Sequence, residues 1–232
     1  VRICACLPDG AFDAAGLRVL LVADVLARVA ELQGLQALTT WMFPHPPADQ
    51  ESAADHAATL LNIHPPARRA AGGTGPVPAD VHVISQVPAA AEAGHDTGTI
   101  AVAAAYLPGG GDPGEQVSAS ADPLATRLAL LSCRNAEPAD IAGDVAVAAQ
   151  VTLGTWRRAV AAWAELPSRP VPEHIMTSLR AAAGQLDTAA AVAALHTVAA
   201  DSAVTPGAKF ETFLFADRVL GLDLASGIGQ PY

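Results

Sequence analysis

Val1-Arg2-Ile3-Cys4-Ala5-Cys6-Leu7, followed by Pro8-Asp9-Gly10 and then by Leu17, Leu20, Leu21, Val25, Val29 and Leu32 at helical spacing as far as Gly34, decides how this chain begins. A short apolar run, a turn signal and an amphipathic period predict strand, loop and helix in that order. Leu35 to Met42 reads as a second strand, Asp80 to Val87 as a third and Thr99 to Tyr106 as a fourth, separated by segments long enough for crossovers. The opening half is therefore expected to be a small parallel α/β sheet.

Between the strands, His45-Pro46-Pro47 and His64-Pro65-Pro66 bracket a helix-like stretch from Ala48 to Ile63. Residues 67–79 are rich in Gly and Pro without periodicity, and read as a surface loop. After Pro113 strand signals vanish, and residues 122–132, 138–166, 172–184, 186–200 and 209–220 read as Ala-rich helices. Leu124, Leu128 and Leu131, with Val151, Trp156, Val160 and Trp163, supply the apolar faces expected of an antiparallel helical bundle, and Pro138, Pro172 and Pro206 stand near helix starts. The chain divides into an α/β part at 1–112 and a helical part at 113–232.

The 232 residues are 51% hydrophobic and 16% charged, enough apolar material for a real core. Arg18, Asp24 and Arg28 interrupt the apolar stretch around Val19 to Val25, so neither a membrane span nor a signal peptide is expected. With 13 basic against 23 acidic residues the net charge is -10, a field that repels polyanions and disfavours tRNA as a partner. Neither half is basic: residues 1–112 carry 5 basic and 11 acidic groups, and the rest 8 and 12.

Three cysteines, Cys4, Cys6 and Cys133, form no disulfide framework and fit a reducing cytoplasm. Cys4 and Cys6 alternate with Ile3 and Ala5 on one strand, and buried free thiols outweigh metal ligands as a reading. His82, His95, His174 and His196 read as solvated or core histidines rather than bases.

A second stretch carries a resemblance. Gly110-Gly111-Asp112-Pro113-Gly114-Glu115-Gln116-Val117-Ser118-Ala119-Ser120 is similar to the KMSKS loop of a class I aminoacyl-tRNA synthetase, with Gln116 and Ala119 where the lysines belong and Ser118 and Ser120 retained. Arg2-Ile3-Cys4-Ala5-Cys6-Leu7 with Asp13-Ala14-Ala15-Gly16-Leu17 resembles the first strand and HIGH loop, with Gly16 kept and Ala14 and Leu17 in place of the histidines. Leu61-Asn62-Ile63-His64-Pro65-Pro66, Asp80-Val81-His82, Asp122-Pro123-Leu124-Ala125-Thr126-Arg127-Leu128, Leu186-Asp187-Thr188 and Arg218-Val219-Leu220-Gly221-Leu222 follow in the family's order. The chain thus resembles a shortened, degenerate cysteinyl-tRNA synthetase, or its paralogue, the cysteine ligase of mycothiol biosynthesis.

The resemblance implies a Rossmann-like core with its connective insertion reduced to about residues 67–79, and an ATP site between the two loops. Losing one preorganised transition-state donor costs on the order of 10²–10³ in rate, so four missing cationic groups make adenylation an unpromising activity. The family's zinc, held by two cysteines, a histidine and a glutamate, is not expected: Val87-Pro88-Ala89-Ala90 and Ala93 stand where the histidine and glutamate belong, and only Cys6 lies near a ligand position. The leading expectation is a pseudo-enzyme that binds a protein or small-molecule partner, with ATP or AMP as candidate nucleotides. The alternatives are an active ATP-dependent ligase in which Arg2 or Arg18 replaces the lost phosphate contacts, and a tRNA-binding factor using Arg157, Arg158 and Arg169.

Overall fold

The computed structural model describes residues 1–7, 12–44, 48–71, 77–86, 98–108 and 112–229. Five strands, β1 (Arg2–Cys6), β2 (Leu38–Phe43), β3 (Arg68–Ala71), β4 (Val81–Ser85) and β5 (Gly98–Val102), form a parallel sheet in the order β3-β2-β1-β4-β5. The β1–β2 crossover is helix α1 (Ala14–Leu32), and α2 (Ala48–Leu60) connects β2 to β3. The opening strand, helix and second strand match the sequence reading, with Gly34 at φ +80 just past the end of α1.

Three expectations change. Residues 67–79 are not all loop, because Arg68–Ala71 pairs with β2 as an edge strand; Arg69 lies over the Trp41 ring at 5.3 Å. Its charged, unpatterned sequence is what an exposed edge tolerates. The expected fourth strand is two: β5 ends at Val102, and β6 (Ala105–Tyr106) pairs instead with β7 (Ala139–Asp140). Pro138 therefore precedes a strand, and the long helix α5 (Asp144–Ala164) starts later.

Alternation along the strands gives the sheet two unlike faces. Ile3, Ala5, Trp41, Phe43, Val83 and Val102 are buried on the face that α1 covers. The register places Cys4, Cys6, Thr40, Met42, His82 and Ile84 on the other face, where all but Cys4 are half-buried. Parallel sheets are ordinarily apolar on both faces; here the second face is mixed.

Beyond residue 112 lie α3 (Pro113–Ser118), α4 (Pro123–Leu131), α5, α6 (Glu173–Gly184), α7 (Thr188–Ala200) and α8 (Pro206–Leu220). Asp112, Asp122 and Asp187 cap α3, α4 and α7 through their carboxylates. On α5 the buried face is Leu153, Trp156 and Val160, while Val151 is exposed. The Phe213 ring packs edge-on against both Trp156 and Trp163. One apolar cluster runs from Ile3 and Leu20 through Leu128 and Leu153 to Phe213 and Leu224.

A buried charge network joins these stretches. Asp24 of α1 accepts from Arg28 Nε at 2.8 Å, Arg127 Nη2 of α4 at 2.6 Å and the His64 backbone N–H at 3.0 Å. Arg127 also donates to the Leu61 carbonyl at 2.7 Å and to the Leu220 carbonyl, and Asn62 donates to the Gly221 carbonyl at 3.0 Å. Gly221 ends α8 at φ +62, and a Cβ there would meet Arg127 Nη2 and Arg28 Cζ at 2.9 Å each. The Arg127 that the resemblance singled out is thus a packing residue. No helix among the described residues is long and apolar enough to cross a membrane.

Candidate functional site

In an open parallel sheet, ligands bind beyond the strand C-termini where the strand order reverses, here between β1 and β4. The first turn of α1 lies beyond the β1 terminus, and Ala14, Gly16 and Leu17 belong to it. Asp13 is the N-cap: its carboxylate accepts the Gly16 N–H at 2.8 Å, and its carbonyl accepts the Leu17 N–H at 2.9 Å. One amide that could help to cradle a phosphate, that of Gly16, is therefore spent on an anionic side chain of the same chain. Leu17 is fully buried, so the position of the second family histidine faces the core. A Cβ on Gly16 would meet Phe12 Cδ2 at 3.2 Å and Leu7 Cδ2 at 3.3 Å; close packing of those two side chains accounts for the glycine.

Neither candidate phosphate arginine is available. Arg18 is 1% exposed, and its guanidinium donates to the carbonyls of Ala103, Ala104, Glu137 and Arg134 at 2.6–3.1 Å. Burial pulls its pKa down, opposed by Cys133 and Glu137, and the four carbonyls accept from its two Nη groups. Arg18 is a strut between α1, the β5–β6 link and the segment after α4. Arg2 lies at the N-terminal end of β1, the opposite edge of the sheet from the α1 N-terminus, paired with Asp80 at 2.8 Å. The hydrogen bond from Arg2 lowers the Asp80 carboxyl to about 2.

Gln116 and Ser118 lie on α3, a short helix rather than an open loop, and Ala119 and Ser120 follow it. The preceding glycines 109–111 lie outside the described residues, as do His45, His95, Ala89 and Ala93. Gln116, Ala119 and Ser120 line a cavity of about 610 Å³ with Ile141, Ala146 and Gln150. Ser118 is exposed and outside this lining, and no α1 residue contributes to it. The two synthetase-like segments are not brought into one cavity there, and the lining holds no cation.

Cations gather elsewhere. A cavity of about 540 Å³ between α6 and α8 is lined by Arg169, Arg180 and Arg218 together with Glu173, Glu211 and Phe215. Arg180 lies over the Phe215 ring at 6.0 Å, and Ser168 donates to Glu211 at 2.6 Å. The expected tRNA-facing stripe does not form: Arg157 is turned inward to Asp122 and to the Leu222 and Asp223 carbonyls, and Arg158 bonds back to Gly154.

On the second sheet face the ligand atoms of Cys4, Cys6 and His82 all lie within 4.8 Å of one another, and the two sulfurs are 3.4 Å apart. Shared hydrogen bonding pulls the Cys4 thiol down and pushes the Cys6 thiol up. Sequence reasoning placed both cysteines on one strand but left His82 among the solvated or core histidines; the register Cys4 to His82 is what unites them. Of the family's zinc positions only Cys6 lies near one, offset by about a residue, and alanine at 89 and 93 offers no donor, so the residues do not fit that ligand set. At the end of β4, Ser85 Oγ is buried without a hydrogen-bond partner among the described residues. No protein-family profile matches the chain, and no curated protein matches it in sequence.

Proposed function

We propose that this chain is a non-catalytic binding protein on a scaffold similar to the class I synthetases, a small Rossmann-like sheet followed by an antiparallel helical bundle, and that it forms no aminoacyl adenylate. The strand order β3-β2-β1-β4-β5 supports the scaffold reading, since it is the first five strands of the doubly wound order 3-2-1-4-5-6. Asp13 carries the loss of activity: a carboxylate on the Gly16 N–H holds negative charge where the phosphates of ATP would have to sit. Arg18 and Arg2, the groups that could have compensated, are committed elsewhere. A reducing, cytoplasmic setting suits three cysteines without a disulfide.

The cavity of Arg169, Arg180 and Arg218, whose charge Glu173 and Glu211 offset in part, favours a small anionic ligand with an apolar part over tRNA, because a lining with one excess positive charge and the Phe215 ring fit a carboxylate or phosphate on a compact body. Calorimetric titration with ATP, AMP and a cysteinyl sulfamoyl adenylate is expected to show no binding, and pyrophosphate exchange with cysteine no turnover. Exchange above background that is lost on altering the Gly16 turn would overturn the reading.

A further inference from the structure

Cys4 and Cys6 stand two residues apart on β1, so both side chains leave the sheet on one face. The parallel register sets His82 of β4 beside Cys4 on that same face. We propose that Cys4, Cys6 and His82 form a binding site for one thiophilic divalent cation, zinc(II), with a fourth coordination position left for an external ligand. This does not depend on whether the chain adenylates.

Geometry comes first. A tetrahedral zinc ion with sulfur at about 2.3 Å and nitrogen at about 2.0 Å sets two sulfurs about 3.8 Å apart and sulfur and nitrogen about 3.5 Å apart. The sulfurs stand at 3.4 Å, a few tenths of an ångström closer, and none of the three atoms is more than 4.8 Å from another. Side-chain movement of about an ångström would bring the three atoms to these spacings, and the strands that carry them are adjacent in the sheet. Nε2 of His82 lies 3.2 Å from the Val77 carbonyl, the kind of outer contact that orients a ligating imidazole.

The plainer reading, two thiols filling core space, fits less well. Neither Cys4 nor Cys6 belongs to the apolar cluster, which takes in their neighbours Ile3, Ala5 and Leu7. Two thiolates and a neutral imidazole carry two negative charges, matched by a divalent ion, and sulfur with nitrogen selects zinc over magnesium or calcium. Three protein ligands among the described residues leave a position of the coordination sphere open, as in zinc sites that bind an exchangeable ligand rather than staple a fold. Cys4 is fully buried but Cys6 and His82 are half-buried, so such a ligand would approach the ion from the side of Cys6 and His82.

The test uses the full chain, kept reduced, stripped with a chelator and reloaded with zinc chloride. One equivalent of zinc should survive gel filtration, and cobalt(II) should give the intense visible bands of a tetrahedral site with sulfur-to-metal charge transfer in the near ultraviolet. Cys6→Ser and His82→Gln should each weaken zinc by more than about 10-fold, the lower bound for disturbing even an outer-shell partner, while Cys133→Ala leaves it unchanged. Should a variant fail to fold, the cobalt spectrum of the unaltered chain still decides. Sub-stoichiometric zinc, a cobalt spectrum without charge transfer, or zinc retention unaffected in folded Cys6→Ser would overturn the site.

Discussion

At its first turn α1 is capped by one exposed carboxylate, Asp13, whereas three turns on the same helix buries Asp24 among two guanidiniums and the His64 backbone. Both are aspartates accepting hydrogen bonds, yet water can replace the partners of one and not of the other. The contrast teaches where a sequence can change cheaply and where the scaffold cannot follow: the first turn is held by a cap that water can replace, while the clamp keeps α1, α2, α4 and α8 in place.

The largest break in that contrast is Arg127→Met. It leaves Asp24 buried with Arg28 and His64 but without its second guanidinium, and should cost about 3 kcal/mol, the low end of what removing one partner of a buried pair costs. Urea unfolding measures it, and a loss below about 1 kcal/mol would mean that the clamp is not under load. The next effect is on acid stability. Burial alone would raise the Asp24 carboxyl, but the hydrogen bond from His64 and the charges of Arg127 and Arg28 outweigh it and hold the group well below the usual range. A depressed folded value gives stability that is complete above the unfolded pKa of about 3.9 and drains away as pH falls toward the folded one. The urea midpoint should fall steadily below pH 4, and the fall should be shallower in Asp24→Asn. The smallest effect belongs to the other end: Asp13→Ala removes an N-cap and should cost about 1 kcal/mol. A loss as large as that of Arg127→Met would erase the distinction.

The β1–α1–β2 unit was legible because the apolar run from Val1 to Leu7 is ended by Pro8-Asp9-Gly10 and the spacing from Leu17 to Leu32 is long enough to declare its period. Most helices beyond Asp122 were legible for the same reason. Strands β3, β6 and β7 were not, since four and two residues held by backbone hydrogen bonds leave no side-chain period. Arg18 was misread, though a signal existed: a helix apolar on nearly every side is buried all round, so its charges must find partners inside the protein. Arg18 and Asp24 both do. The grouping of His82 with Cys4 depends on a pairing across 78 residues, which no local pattern carries.

The Asp24 clamp also sets an order for synthesis. Its carboxylate sits on the first helix, but its partners come from Arg127 and from the strut at Leu220 and Gly221 that holds Arg127 in place. Burying α1 before those residues exist would leave Asp24 with Arg28 and His64 but one guanidinium short. The first helix is therefore expected to reach its full hold on the sheet only once α4 and α8 have been made.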